Sequence, residues 1–186
     1  RIALRRAMIM GFNTEEMIRV WWSGQALVAT QPIPPGVAGH NPGFVARAPY
    51  DPAAAKALLD KFGYVDRDKD GWRELPDGKP FTIVRASTPS ARDRERDELW
   101  KKNMTTLGIR IDFLKQKWPD LLRMGRAGQL QMWPVGWITQ YNEGDAFMQL
   151  LYSRNIGQSN YSRYRRHEYD TIYAKTKRIP DGPQRD

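Results

Sequence analysis

Tyr50-Asp51-Pro52-Ala53-Ala54-Ala55-Lys56-Ala57-Leu58-Leu59-Asp60-Lys61-Phe62-Gly63-Tyr64 stands between two loops and carries every signal of one complete helix. Asp51 offers a side-chain oxygen to the first-turn amides, and Pro52 sits where a missing N–H costs nothing. Gly63 supplies the left-handed residue that closes the last turn. The spacing predicts a helix over 52–62, and the rest of the chain is read outward from it.

Upstream, Ile2, Met8 and Ile9 keep helical spacing, and Asn13 followed by Glu16 predicts a capped second helix through Met17, Ile18 and Trp22. From Ser23 to Pro49 glycine and proline dominate, as in Ile33-Pro34-Pro35-Gly36, so a long ordered loop is expected. Downstream, Asp66 to Pro80 is a polar turn region and Phe81 to Ala86 has strand composition. A helix is expected next, from about Ala91 to Leu107. Ile109, Ile111 and Phe113 alternate with Arg110 and Asp112, the pattern of a strand with one buried face.

Trp118-Pro119 opens another helix, Leu130 to Trp137 reads as a more fully buried strand, and helices are expected near 146–151 and 168–177. Strands alternating with helices require crossover connections, so the fold class is α/β, a mixed sheet flanked by helices. No linker or internal repeat divides the chain. Residues 1–186 are therefore expected to form a single α/β lobe.

The 40% apolar content supports a buried core, while no apolar run reaches the roughly 20 residues that span a bilayer. The chain begins at Arg1 inside a helical pattern and is expected to be cut from something longer. With no cysteine, disulfides and thiolate chemistry are excluded. The formal charge of +9 admits a basic nucleic-acid-binding domain as the alternative function. Basic residues are nevertheless interleaved with acids over several elements, which fits solvated helix faces better than one binding groove.

Catalysis has no motif. His40 and His167 stand in unrelated contexts, and no nucleophile elbow, phosphate loop or dinucleotide fingerprint is present, so neither enzyme activity nor a cofactor is expected. Asp66, Asp68, Asp70 and Asp77 begin like an EF-hand loop. Position twelve is Asp77 instead of a bidentate Glu, Lys69 opposes the acids, and a strand instead of a helix comes next. Calcium there is the minor reading, and no metal is expected.

The same stretches resemble a known family. Tyr50 to Tyr64 is similar to the Y-D-P-x-x-A-K-x-L-L-x-x-x-G-Y segment of bacterial solute-binding proteins of family five, the peptide-binding receptors of ABC importers. Leu4 to Ile18 resembles that family's helix pair, with Asn13 where Asp is usual. Pro34-Pro35-Gly36 with Asn41-Pro42 resembles its proline loop, and Leu107 to Ile111 its L-G-I-x-V strand entry. Gly128 to Trp137 resembles G-x-x-D-M-x-x-x-G-W, with Gln131 replacing the acid. Asn160, Ser162, Tyr164 and Glu168-Tyr169-Asp170 resemble the family's next segment.

The resemblance implies a type II periplasmic-binding-protein-like lobe, covering most of the second, C-terminal lobe of a two-lobed receptor. It implies a monomer, periplasmic or lipid-anchored outside the cytoplasmic membrane. Its partners would be a peptide or other small solute and a membrane permease, without nucleic acid. Peptide receptors of this kind commonly carry Asp four positions after the Gly of G-W-x-x-D, and here Gln140 stands in that place. The expected ligand-binding residues are Trp137 and Trp133 for stacking, Gln140 and Tyr141 for hydrogen bonds, and Ser87 and Thr88 from a neighbouring strand end.

Overall fold

A computed structural model describes residues 2–180 and 182. Its elements run α1 (Ile2–Gly11), α2 (Thr14–Trp21), α3 (Pro52–Lys61), β1 (Thr82–Ser87), α4 (Ala91–Thr106), β2 (Arg110–Lys115), α5 (Trp118–Ala127), α6 (Asp145–Met148) and α7 (His167–Thr176). Short 3-10 turns at Gln149–Leu151 and Ser153–Asn155 come after α6. No helix among the described residues is long and apolar enough to cross a membrane.

Helix α3 forms as its sequence dictates. The Asp51 carboxylate accepts the Ala54 amide at 2.8 Å, Pro52 occupies the first turn, and Gly63 takes φ +78° just beyond the last. Asn13 caps α2 through the Glu16 amide at 2.9 Å. The reciprocal half of the box is absent: the Asn13 amide donates to Asn103 Oδ1, and Glu16 pairs with Lys102. Helix α2 is thus tied to α4 by both ends of that would-be box.

The described residues gather into two units. The first comprises the N-terminal residues as far as Val28, together with Ala48–Lys117 and Gln131–Trp133. Its core is Ala7, Met8, Ala55, Leu59, Tyr64, Ile83, Met104, Leu107, Ile109 and Ile111. Strands β1 and β2 are parallel, with Ile83 opposite Ile111 and Ser87 opposite Lys115 at their shared C-terminal end. Helix α4 makes the crossover that a parallel pair demands. At Gly11, a Cβ would lie 2.4 Å from Leu107 Cδ1, so the glycine lets α1 close onto the residue ending α4.

The strand expected over Leu130 to Trp137 does not form. Met132 makes one parallel bridge to Arg85, its carbonyl accepting the Ala86 amide at 2.8 Å, and there the ladder stops. Pro134 has no amide to continue it. On the other side Gln131 Oε1 takes the Val84 amide at 2.6 Å, a side chain standing in for a strand carbonyl. The sheet of the first unit is accordingly two-stranded and parallel, not mixed.

The second unit comprises Ala29–Arg47, Trp118–Leu130 and the residues from Pro134 onward. Loop 29–47 holds no helix or strand, as its glycines and prolines predict, and the Ala38 amide donates to Asn142 Oδ1 at 3.1 Å. Asn160, with 0% exposure, fastens the segment before α7. Its Nδ2 donates to the carbonyls of Tyr152 and Tyr164 at 3.0 and 2.9 Å. Its Oδ1 accepts the Ser162 hydroxyl at 2.9 Å and the Tyr164 amide at 3.2 Å. The Asn160-Tyr161-Ser162 sequon is therefore spent on internal bonds.

Replacing Asn160 by Ala removes its bonds to two carbonyls, an amide and a hydroxyl from a fully buried position, so a loss of about 1–3 kcal/mol is expected. Thermal and denaturant unfolding of Asn160→Ala should show it. Ser162→Ala, which removes only one donor, should cost clearly less.

Candidate functional site

Parallel strands in an α/β layer open a crevice at their carboxyl ends, and in the first unit that end is the pair Ser87 and Lys115. Ser87 is 1% exposed, and its hydroxyl donates to Asp97 Oδ2 at 2.6 Å while accepting from Lys115 Nζ at 3.0 Å. Lys115 also pairs with Asp97 Oδ2, and Arg85, 1% exposed on β1, pairs with Asp97 Oδ1. One buried carboxylate thus collects two cations and a hydroxyl.

Thr88, half-buried, is engaged one residue further on. Its amide donates to Asp93 Oδ2 at 2.9 Å, its hydroxyl bonds the same oxygen, and Arg96 pairs with Asp93 Oδ1. Burial pushes the Asp93 carboxyl up, but the Thr88 bonds and Arg96 outweigh it and hold the group below its ordinary range. Burial brings the Arg85 guanidinium down to about 10, with Arg96 repelling it and Asp93 opposing the shift, so Arg85 stays ionised at neutral pH. Burial likewise lowers Lys115 from its usual value.

Trp133 is half-buried in the first unit. Trp137, Gln140 and Tyr141 lie together on an irregular segment of the second. There Trp137 is half-buried, Gln140 is exposed and Tyr141 is 74% exposed. The segment is folded by its own bonds: Thr139 Oγ1 donates to the Tyr141 carbonyl at 2.5 Å, which also accepts the Glu143 amide at 2.8 Å. Gln140 and Tyr141 are left presented outward as a polar amide and a phenol.

Ser87 and Thr88 do share one strand end, but with hydroxyls already committed to Asp97 and Asp93. The group that sequence reasoning missed is Lys115, with Arg85 and Asp97 behind it. A signal was available: Asp93 and Asp97 share the helical face of Trp100 and Met104, so two acids occupy core-facing positions of α4 and require buried partners.

The second unit also holds a concavity of about 390 Å³, lined by Ile33, Ala38, Asn142, Asp145, Tyr169 and Tyr173 among others. Tyr169 donates to the Met148 carbonyl at 2.6 Å, and burial, then Tyr164, raises its phenol to about 12. Burial and then a hydrogen bond to Asp145 push Tyr173 well above its usual value. Both phenols stay neutral at physiological pH, and the Asp145 carboxylate is matched by Lys177 at 2.6 Å.

Carboxylate oxygens of Asp66, Asp68, Asp70 and Glu74 lie within 4.8 Å of one another. Asp77 takes no part; it pairs with Lys79 at 3.1 Å and accepts the Lys79 amide. The clustered acids are occupied: Asp66 accepts the Gly71 amide at 3.0 Å, Asp70 pairs with Arg110, and Glu74 accepts the Arg67 amide at 2.8 Å. A cation would have to displace Arg110. Calcium at about 1 mM, strong enough for an extracellular-type site, is therefore expected to leave Tm unchanged, and a rise abolished by Asp68→Ala would contradict this.

The chain is 27% identical over 92% of its length to heme-binding protein A of Haemophilus influenzae, of which it covers 30%. It is 27% identical over 98% of its length to di/tripeptide-binding protein 2 of Pseudomonas aeruginosa, of which it covers 33%. It thus spans about a third of the length of the curated relatives it matches. Among solved structures, an oligopeptide-binding protein from Bacillus subtilis in complex with a nonapeptide superposes with a TM-score of 0.86 at 20% identity, over 98% of this chain and 37% of that one. That likeness establishes the fold, a type II periplasmic-binding-protein lobe. The model of the bacterial extracellular solute-binding proteins, family 5 middle region, matches residues 1–159, and the chain belongs to that family.

Proposed function

We propose that this chain is part of the substrate-binding component of an ABC importer, a receptor that holds a peptide or related solute outside the cytoplasmic membrane and hands it to a membrane permease. The observation that carries this reading is the family match over residues 1–159. The di/tripeptide-binding relative and the nonapeptide-bound neighbour favour a peptide. No chemical step is involved: the chain would act as a monomer, in the periplasm or on a lipid anchor, and as most of one lobe of its receptor.

Ligand contacts are assigned to Trp137 and Trp133 by stacking, and to Gln140 and Tyr141 by hydrogen bonding. Ser87 and Thr88 are assigned a supporting part, because their hydroxyls already serve Asp97 and Asp93. Gln140 is neutral, and a neutral hydrogen bond contributes about 0.5–1.5 kcal/mol where a charged one contributes about 1.5–3. Recognition of a ligand amine at this position is correspondingly weak.

Native followed by denaturing mass spectrometry of the full-length protein should release a series of short peptides. Release of a sugar or another solute would move the protein outside peptide transport, and absence of any retained or added solute would count against the receptor itself. Gln140→Asp should tighten tri-alanine by about tenfold, the difference between neutral and charge-assisted bonding, with no gain for its N-acetylated form. Calorimetry on the two peptides checks this.

A further inference from the structure

The C-terminal end of the two-stranded sheet carries a charge that the sequence alone does not place there. Lys115 Nζ has three N–H donors. One goes to Asp97 Oδ2 and one to Ser87 Oγ, and the third meets no acceptor among the described residues. The Lys115 side chain is still 38% exposed, whereas Asp97 beside it is 3% exposed. Lys115 therefore bridges a dry interior and solvent at the strand ends.

The acids beside it have other partners as well. Asp97 is already matched by buried Arg85, and Asp93 by Arg96. Arg94 and Glu98 also act on Lys115, with opposite signs. Lys115 thus reaches solvent while Asp97 and Ser87 hold its ammonium from below.

We infer that Lys115 is a specificity-determining residue that receives a carboxylate of the solute through its third N–H, with Ser87 and Asp97 holding the ammonium in position. The inference rests on the receptor reading and adds the ligand's charge to it. A peptide C-terminus and a sugar acid share the required group. An anchored ammonium is suited to this task, because the entropy of ordering a lysine is spent before the ligand arrives. Asp97 stays buried against Arg85 whether or not ligand is present.

The test compares tri-alanine with tri-alanine amide, and trigalacturonate with maltotriose, by calorimetry on the full-length protein and its Lys115→Met and Lys115→Arg variants. Lys115→Met keeps the aliphatic stem and leaves Asp97 paired with Arg85 and Ser87, so its Tm should stay close to that of the parent. The expected result is that the parent prefers the acid member of one pair by at least about tenfold. That preference should vanish in Lys115→Met and largely return in Lys115→Arg. Which pair shows it identifies the source of the carboxylate. Equal binding of acid and neutral members, or a preference that survives Lys115→Met, overturns the inference and leaves the receptor reading intact. Binding of none of the four compounds by a parent that also releases no solute on unfolding overturns the receptor reading and this inference with it.

Discussion

The ion pair between Arg85 and Asp97 constrains the first unit more than any other contact. Its members come from β1 and α4, both almost wholly removed from water. Such a pair adds little net stability over an apolar pair of the same volume, yet losing Asp97 leaves the buried Arg85 charge unmatched at a cost of about 3–5 kcal/mol. Its effect is therefore on arrangement. A slip of β1 by one residue would turn Arg85 to the opposite face and strand Asp97. The register that places Ser87 opposite Lys115 is the one that satisfies both.

Where the sequence spoke through local chemistry, it spoke clearly. Asp51, Pro52 and Gly63 define α3 with atoms that lie within a few residues of one another, and the alternation from Ile109 to Phe113 marks the buried face of β2. The failures arose where distant atoms decide. Leu130 to Trp137 has the composition of a buried strand, but Gln131 folds its side-chain oxygen onto Val84 and Pro134 ends the ladder after a single bridge. Asn13 caps its helix as expected, but the reciprocal bond does not form, since Asn103 and Lys102, some 90 residues away in sequence, engage the Asn13 amide and the Glu16 carboxylate.

The candidate site was legible in part. Family resemblance singled out Trp137, Gln140 and Tyr141, and the last two are indeed presented outward by the bonds of Thr139. Ser87 and Thr88 were chosen because hydroxyls at strand ends suit ligands, and that reasoning counts donors without asking who has taken them. Both hydroxyls are consumed by acids of α4. Those acids were visible as charges on a core-facing stripe. Recognising that they demanded Arg85 and Lys115 required the parallel pairing of β1 with β2, which no local pattern specifies.

Two features then bear on what a solute must look like, each within its own unit. In the second, the proposed ligand contact Gln140 is a neutral amide, which would offer a ligand amine no ionic partner. In the first, the strand end carries the Lys115 ammonium, engaged by Asp97 and Ser87 and still partly open to solvent. On the proposed assignments, Gln140 would give a ligand cation no ionic partner, and Lys115 would give a ligand carboxylate one. Neither requires a new structural element. Exchanging a few side chains at the ends of an α/β scaffold can alter the preferred ligand charge without touching the core beneath, here Ala55 and Leu59 to Ile109 and Ile111.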